Sequence, residues 1–164
     1  MNETNLFIPN ELTGNPTELP NDNNGIFYLA DAFLSIESMT HKKLQKLCYY
    51  AKAWHLALKD ENIIDDDFEA WVNGAIQPLL FQKYRSYGFQ KIPMVLFGEN
   101  IPDEFIDFAR IIFNSYGQFT GEQLEMLNHM EAPWKKARKD LKPWESSNAV
   151  ISEQDMKDYY RSLL

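Results

Sequence analysis

The segment Thr40–Leu56, THKKLQKLCYYAKAWHL, contains the clearest helical pattern in the sequence and decides the fold. Apolar and small residues recur there every three or four positions, which places their side chains on one face of an α-helix. Thr40 is a good N-cap because its hydroxyl can accept a hydrogen bond from a free backbone N–H. Met39 and Leu44 can form a hydrophobic staple around this cap. We therefore predict a long helix after Thr40, with a buried face of Leu44, Leu47, Cys48, Ala51, His55 and Leu58.

The same helical signals recur on both sides of this segment. Phe27, Ala30 and Phe33 predict a first helix after Gly25. Thr120 and Gln123 form a capping-box sequence before another helix. Further helices are predicted near Pro78, Pro102, Pro133 and Ser152. The sequence thus predicts a mainly α, single compact multi-helix domain.

Two short stretches favour β-structure instead of helix. Residues 68–72 alternate weakly between apolar and polar positions, and residues 92–97 are rich in β-forming side chains. Pro93 restricts the second stretch to the edge or end of a sheet because proline has no N–H to donate. We predict that the two stretches pair as a short two-stranded β ribbon.

Length, charge and hydropathy narrow the function classes. The 164 residues suit one domain. Lys and Arg number 16 and Asp and Glu number 24, a net charge of −8, which argues against general binding to nucleic-acid phosphates. No run approaches the roughly 20 apolar residues of a membrane helix, and the first residues lack the pattern of a secretory signal. A cytoplasmic protein without a membrane partner is expected.

Residues 1–24 differ in composition from the rest of the chain. They contain four acidic residues, no Lys or Arg, and three prolines. Leu6–Ile8 is their one short apolar anchor. We expect a polar acidic N-terminal arm at 1–24 and a helical domain at 25–164. The arm is interpreted either as a loosely ordered leader or as a segment that orders on a partner or on a second subunit of a homo-oligomer.

Residue patterns of known catalytic and metal sites are absent from the sequence. Cys48 is the single cysteine, and His55 follows it by seven residues, about 10.5 Å of helical rise, which is too far for a hydrogen bond. The acidic stretch 60–69 lacks the glycine and the final glutamate of a calcium loop. We therefore predict no catalytic residue, no cofactor and no metal, with Cys48 and His55 packed in the core.

Two basic groups stand out in this acidic chain. One is Lys42, Lys43 and Lys46 at the start of the long helix, and the other is the segment 135–142, which lies between Trp134 and Trp144. Both are explained either as solvated faces that balance the acidic stretches or as contacts to a protein partner. Nucleic acid is the less favoured partner because the net charge is negative.

Several motifs resemble the SocA-like, or Panacea, antitoxin domain, also called the phage-associated GepA-like family. The helix signature of that family reads roughly K-L-Q-K-L-x-Y-Y-A, and a later block reads A-W-x-x-G-P-V-x-P. Ala75 and Ile76 depart from this block, since they stand where Pro and Val are usual. The matching residues are Lys43, Leu44, Gln45, Lys46, Leu47, Tyr49, Tyr50, Ala51, Ala70, Trp71, Gly74, Pro78, His129, Glu131, Pro133, Trp134 and Ala137.

The resemblance implies an antitoxin that neutralises a cognate protein toxin by direct contact. One branch of the family acts as an adaptor that delivers its toxin to an ATP-dependent protease, such as a Clp-type unfoldase-protease, and many members are prophage-borne. Residues assigned to packing are Leu44, Leu47, Tyr49, Trp71, Gly74, Pro78 and Pro133. Candidate partner-binding residues are Lys43, Lys46, Tyr50, Trp134, Lys135 and Lys136, with Lys43 and Lys46 expected on the side of their helix away from the core.

Two other functions stay open at this point. A DNA-binding operon autorepressor would need a helix-turn-helix unit, for which the arm at 1–24 is too short, and its affinity would fall steeply with salt. An uncharacterised prophage-encoded hydrolase would use the region of Cys48 or His55. A non-enzymatic antitoxin is the favoured hypothesis.

Overall fold

Seven α-helices and one β ribbon make up the part of the chain described by the computed structural model, residues 22–96 and 100–164. The predicted arm therefore lies, apart from its last three residues, outside the described residues. The mainly α fold is confirmed. The helices, in chain order, are α1 (Asp22–Leu34), α2 (His41–Lys59), α3 (Pro78–Tyr84), α4 (Asp103–Tyr116), α5 (Gly121–Met130), α6 (Ala132–Arg138) and α7 (Glu153–Arg161).

Helix α2 is the central element, and α1, α4, α5 and α7 all pack against it. It begins as predicted, because the Thr40 hydroxyl accepts a hydrogen bond from the Lys43 N–H at 3.3 Å. It ends at Asp60, whose left-handed backbone allows its N–H to bond the Leu56 carbonyl. Most of its residues are buried, including every position from Leu44 to Ala53. One helix therefore supplies packing surface to the whole domain.

The other predicted caps are present as well. Thr120 and Gln123 form the reciprocal capping box at the start of α5, with distances of 3.1 and 2.9 Å. The Ser152 hydroxyl accepts from the Asp155 N–H at 3.2 Å, and Pro78 occupies the first turn of α3. No helix among the described residues has the length and apolar character needed to cross a bilayer.

The β ribbon exists, but its predicted pairing is wrong. Strand β1 (Glu69–Trp71) pairs with β2 (Gly74–Ile76), not with the stretch around Ile92. The backbone of Gly74 has φ +98°, which lets the chain reverse within two residues and pair with itself. Ile92 instead donates its N–H to the Met39 carbonyl at 2.7 Å, a single bridge just before Pro93.

Residues 149–151 extend the ribbon on its other side. The Ala70 N–H donates to the Ala149 carbonyl at 2.8 Å, and the Ile151 N–H donates to the Phe68 carbonyl at 2.8 Å. Strand β1 is therefore the middle strand of a small three-stranded arrangement. This contact fixes the chain just before α7, which packs against α2 and α6.

The core is built largely from the residues that the helical pattern predicted, but the prediction for Leu58 is wrong, since it is 50% exposed near the end of α2. Leu44, Leu47 and Cys48 are fully buried. The His55 ring is also buried, with Nδ1 2.6 Å from the Glu61 carbonyl oxygen and its centroid 4.9 Å from that of the Phe108 ring, in an edge-to-face arrangement. Cys48 and His55 thus have the structural surroundings expected of packed residues.

Gly74 should be intolerant of a side chain. A Cβ there would lie 2.8 Å from both the Asn128 Oδ1 and the Lys46 Cε, on a backbone with φ +98°. We expect Gly74→Ala to lower the free energy of unfolding by about 2 kcal/mol or more, through strain and steric overlap together. Gly88→Ala is the matched control, because φ is +58° but no atom lies within 4 Å of the added Cβ. Urea denaturation of both variants checks this, and equal losses would contradict it.

Candidate functional site

The polar interior of the domain is organised around the β ribbon. Six side chains from three helices hydrogen-bond to backbone groups of residues 70–77, and we call this set the ribbon frame. Buried backbone N–H and C=O groups must find partners, and strand pairing alone leaves the outer edge of β2 unpaired. The frame consists of Gln45, Lys46, Asn128, His129, Trp134 and Arg138.

Helix α2 supplies two members of the ribbon frame. The Gln45 amide bonds both backbone groups of Gln77, donating to the carbonyl at 3.0 Å and accepting from the N–H at 2.8 Å. The Lys46 ammonium donates to the Ala75 carbonyl at 3.2 Å. Both side chains are fully buried. Gln45 thereby makes the two hydrogen bonds that a neighbouring strand would make with Gln77, which is the N-cap residue of α3.

Helix α5 supplies two further members from consecutive positions. The Asn128 Oδ1 accepts from the Ala75 N–H at 2.6 Å. The His129 Nε2 lies 2.8 Å from the Val72 carbonyl and must donate there, which places the proton on that nitrogen. The Ala75 backbone is therefore bonded on its outer edge by one side chain from α2 and one from α5.

Helix α6 completes the ribbon frame. The Trp134 indole N–H donates to the Trp71 carbonyl at 2.8 Å, and the Arg138 guanidinium donates to the Ala70 carbonyl at 2.9 Å. The same guanidinium donates to backbone carbonyls at positions 142–145, so it fixes the loop after α6. Arg138 also lies over the Trp134 ring, 4.7 Å from its centroid.

Lys46 is the most perturbed basic group of the frame. Burial lowers the pKa of its ammonium, Glu125 opposes this shift and Lys42 adds slightly to it, and together they bring the pKa to about 7. Burial also lowers the pKa of His129 and His41. Lys46 and His129 therefore contribute less positive charge at neutral pH than an exposed lysine and histidine would.

A second buried polar cluster lies behind the ribbon. The Glu131 carboxylate accepts from the Tyr50 hydroxyl at 2.7 Å and from the Tyr160 hydroxyl at 2.8 Å. Burial raises the pKa of Glu131, whereas these two hydrogen bonds lower it. Tyr50 stacks on Tyr116 with ring centroids 4.3 Å apart. The cluster joins α2, α4 and α7 to the junction between α5 and α6.

Several residues expected at a partner surface lie inside the protein instead. The expectation that Lys46 faces away from the core is wrong, since it is fully buried. Tyr50 is fully buried and Trp134 is 5% exposed. Their polar atoms are used by Ala75, Glu131 and Trp71, which is the physical reason that they point inward. In this structure none of the three offers a surface to a partner.

Lys43 has an intermediate position. Its ammonium donates to the Gly117 carbonyl at 2.6 Å and lies 3.5 Å from the Glu37 carboxylate, which ties α2 to the turn between α4 and α5. Lys135 and Lys136 are exposed on α6, with Asp155 3.9 Å from Lys136. Of the six candidate residues, these last two are the ones left open to solvent.

The residues assigned to packing occupy the interior or its turns. Leu44, Leu47 and Tyr49 are fully buried, and Pro133 is buried in the first turn of α6. Trp71 is half-buried, with its ring 5.0 Å from Phe81.

The outer side of α5 carries an exposed apolar patch that the sequence motifs did not single out. Met126 and Met130 lie one helical turn apart and are 68% and 65% exposed. They border a cavity of about 290 Å³ on the protein surface. We call this patch the methionine face, and its lining residues are Phe119, Gln123, Met126, Leu127 and Met130.

A family model described as antitoxin SocA-like, Panacea domain, matches residues 44–135. The match spans 92 of the 164 residues, from the core of α2 through the ribbon to α6. The chain belongs to the SocA-like antitoxin family. Neither the search of curated proteins nor that of solved structures found a match.

The Panacea domain match includes five of the six members of the ribbon frame, all except Arg138. Membership in this antitoxin family indicates an antitoxin role and favours a non-enzymatic one. Burial raises the pKa of the Cys48 thiol well above its ordinary value, which disfavours the thiolate needed for nucleophilic catalysis. Among the described residues, no group of three or more His, Cys, Asp or Glu side chains could hold a metal ion.

Gln45, Asn128 and Arg138 are structural polar residues that the sequence interpretation did not assign to the interior. Gln45 lies inside the family signature between Leu44 and Leu47. This position is the one signal in the sequence from which a buried Gln45 could have been predicted. Asn128 and Arg138 carry no such signal. The methionine face was detectable as the i, i+4 pair Met126 and Met130 on the side of α5 opposite Leu124.

The buried Lys46 predicts a pH dependence of stability. Its ordinary pKa of 10.5 falls to about 7 on folding, so the unfolded state binds more protons between these values and stability rises with pH. The lowered pKa values of His41 and His129 affect stability at lower pH. The raised pKa values of Cys48 and the buried tyrosines oppose the increase in stability above about pH 9. Between pH 7 and about pH 8.5, the free energy of unfolding should increase by about 1–2 kcal/mol. Lys46→Met should remove most of this increase in urea denaturation, whereas exposed Lys91→Met should keep it; equal slopes would contradict it.

Trp134 and Trp144 form a matched pair for testing core against surface. Trp134 is 5% exposed and bonded to the ribbon, whereas Trp144 is 74% exposed. We expect Trp134→Ala to cost about 3–5 kcal/mol of stability through the lost packing and the unpaired Trp71 carbonyl. Trp144→Ala should leave the thermal midpoint nearly unchanged. Scanning calorimetry measures both, and an unchanged midpoint for Trp134→Ala would contradict the core assignment.

Proposed function

We propose that this Panacea domain neutralises a cognate protein toxin by binding it directly. The family match over residues 44–135 carries the proposal, and the interior supports it. Four matched motif residues with polar side chains hold the ribbon, and Tyr50 and Glu131 bond each other inside the protein, which supports a scaffold instead of a reaction centre; the four are Gln45, Lys46, His129 and Trp134. A scaffold of this kind acts through the shape of its outer surface.

The methionine face is the part of that surface that we assign to the toxin. Its two methionines are more than half exposed, and large exposed apolar patches mark protein interaction sites. Methionine side chains are unbranched and polarisable, so they adapt well to a partner surface. Lys135 and Lys136 are exposed on α6, which follows α5 directly through Glu131, and we include them in the proposed contact as its charged part. An apolar centre with a polar rim is the usual anatomy of a protein interface.

Co-expression with the product of the neighbouring open reading frame tests the proposal. Expression of that product alone should arrest growth, and the Panacea domain should restore growth and co-purify with it. A neighbour that is harmless alone and does not co-purify would contradict the proposal.

A reconstituted assay separates direct masking from delivery to a protease. With purified toxin and antitoxin, masking predicts loss of toxin activity at equal molar amounts without any protease. A protease adaptor would instead require a Clp-type protease and ATP for neutralisation, and the toxin half-life would fall. The first outcome supports our proposal, and the second replaces it with the adaptor mechanism.

Charged substitutions on the methionine face should abolish toxin binding without unfolding the domain. Met126→Asp with Met130→Asp places two charges in the centre of the proposed interface, and we expect a loss of binding of about 2 kcal/mol or more. Leu58→Asp with Leu164→Asp is the matched control, since these side chains are 50% and 75% exposed and line a separate cavity beside α4. Titration calorimetry measures affinity, and circular dichroism verifies the fold. Equal affinity of both variants would exclude this face as the toxin site.

A further inference from the structure

The methionines of the domain differ sharply in their exposure to solvent. Met39 and Met156 are buried in the core, whereas Met126 and Met130 are 68% and 65% exposed. Met94 is 43% exposed and is not among the residues that line the cavity of the methionine face. Among the methionines that the structure describes, the two most exposed therefore lie together on one face of α5.

Exposure of the thioether allows a chemical modification that burial prevents, because a peroxide must reach the sulfur. A sulfur lone pair attacks one oxygen of hydrogen peroxide, so that an S–O bond forms and the O–O bond breaks. The sulfur loses two electrons to the peroxide. The departing hydroxide takes the proton of the transferred oxygen and leaves as water. The product is methionine sulfoxide, which methionine sulfoxide reductases convert back to methionine.

Oxidation of the methionine face leaves the core intact. The side chains of Met126 and Met130 lie on the side of α5 opposite the buried Leu124, so solvent can hydrate a sulfoxide oxygen at either position. The same oxygen on Met39 or Met156 would enter the apolar core, where an unpaired polar group is costly. Burial protects these two sulfurs, and the modification is therefore confined to the surface.

The sulfoxides would reverse the apolar character of the methionine face. Its cavity of about 290 Å³ is lined by the two methionines, Phe119, Leu127 and Gln123, so the Gln123 amide is the one polar side-chain group there. A sulfoxide turns a flexible apolar side chain into a polar one with a hydrogen-bond acceptor. A partner that buries the oxidised face must bury two such oxygens, which costs free energy unless donors meet them.

We propose that Met126 and Met130 form a reversible oxidation site that controls the toxin contact. Their conversion to sulfoxides by hydrogen peroxide weakens toxin binding, and enzymatic reduction restores it. The control of binding rests on the proposed function, which assigns the methionine face to the toxin. The oxidation site itself rests on the exposure of the two thioethers and on the burial of the core methionines.

Peptide mapping of the full chain after brief treatment with hydrogen peroxide tests the oxidation site. Mass spectrometry should find sulfoxide at Met126 and Met130 while Met39 and Met156 stay unmodified, and a methionine sulfoxide reductase should remove it. Circular dichroism should show the same helical signal before and after treatment. Sulfoxide at the buried methionines as early as at the methionine face, or loss of the helical signal, would overturn the proposal.

Titration calorimetry with the product of the neighbouring open reading frame tests the effect on binding. The treated chain, freed of peroxide, should bind this product about tenfold or more weakly than the untreated chain. Met126→Leu with Met130→Leu keeps the face apolar without sulfur, so its affinity should be the same before and after treatment. Met94→Leu is the matched control, because it removes a sulfur outside the cavity and should lose affinity as the unsubstituted chain does. Equal losses in the double leucine variant and the unsubstituted chain would overturn the proposal.

The outcomes distinguish this proposal from the proposed function. If the untreated chain does not bind the product, the toxin contact is contradicted and the control of binding fails with it, while the peptide map still decides the oxidation site. If the untreated and the oxidised chain bind equally well, the proposed function stands and the control by oxidation is overturned.

Discussion

The outer edge of strand β2 is the constraint on which the domain depends. It is buried against α2 and α5, where water cannot satisfy its backbone groups, and an unpaired buried amide or carbonyl costs about 1–3 kcal/mol. Gln45, Lys46 and Asn128 take the place of a neighbouring strand. A two-stranded ribbon that would be marginal in water thereby becomes a rigid part of a helical protein.

This constraint separates the interior of the Panacea domain from its functional surface. A lysine or tyrosine in a family signature is readily interpreted as a contact to a partner. Here Lys46 donates a hydrogen bond to the Ala75 carbonyl, and Tyr50 donates one to the Glu131 carboxylate. In the function that we propose, partner recognition comes from outward positions such as Met126 and Met130, which contribute little to the scaffold. The scaffold and the proposed recognition surface could change independently, because Asn128 and the two methionines lie on opposite sides of α5.

The sequence predicted most of the helical architecture and less of the site. Caps such as Thr120 and periodic apolar positions such as Leu44 and Leu47 are local signals, and the structure confirms them. The pairing of β1 was predicted wrongly because the tight turn before Gly74 decides it. That turn depends on a positive φ, which a pattern of apolar residues does not reveal. The inward direction of Lys46 was missed because a charged side chain is expected at the protein surface, whatever its position on the helix. In the folded protein its ammonium instead donates a hydrogen bond to the buried Ala75 carbonyl.

The side-chain origin of the hydrogen bonds on β2 also determines the order of assembly. Helices can form locally, but the Gln77 amide has no acceptor until α2 packs on the ribbon. The Ala75 amide has none until α5 does, because its acceptor Asn128 lies 53 residues further along the chain. Such distant contacts carry a loop-closure penalty and form late. We therefore expect the outer edge of β2 to be completed late in folding, and its amides to exchange with solvent only when α2 or α5 separates from the ribbon.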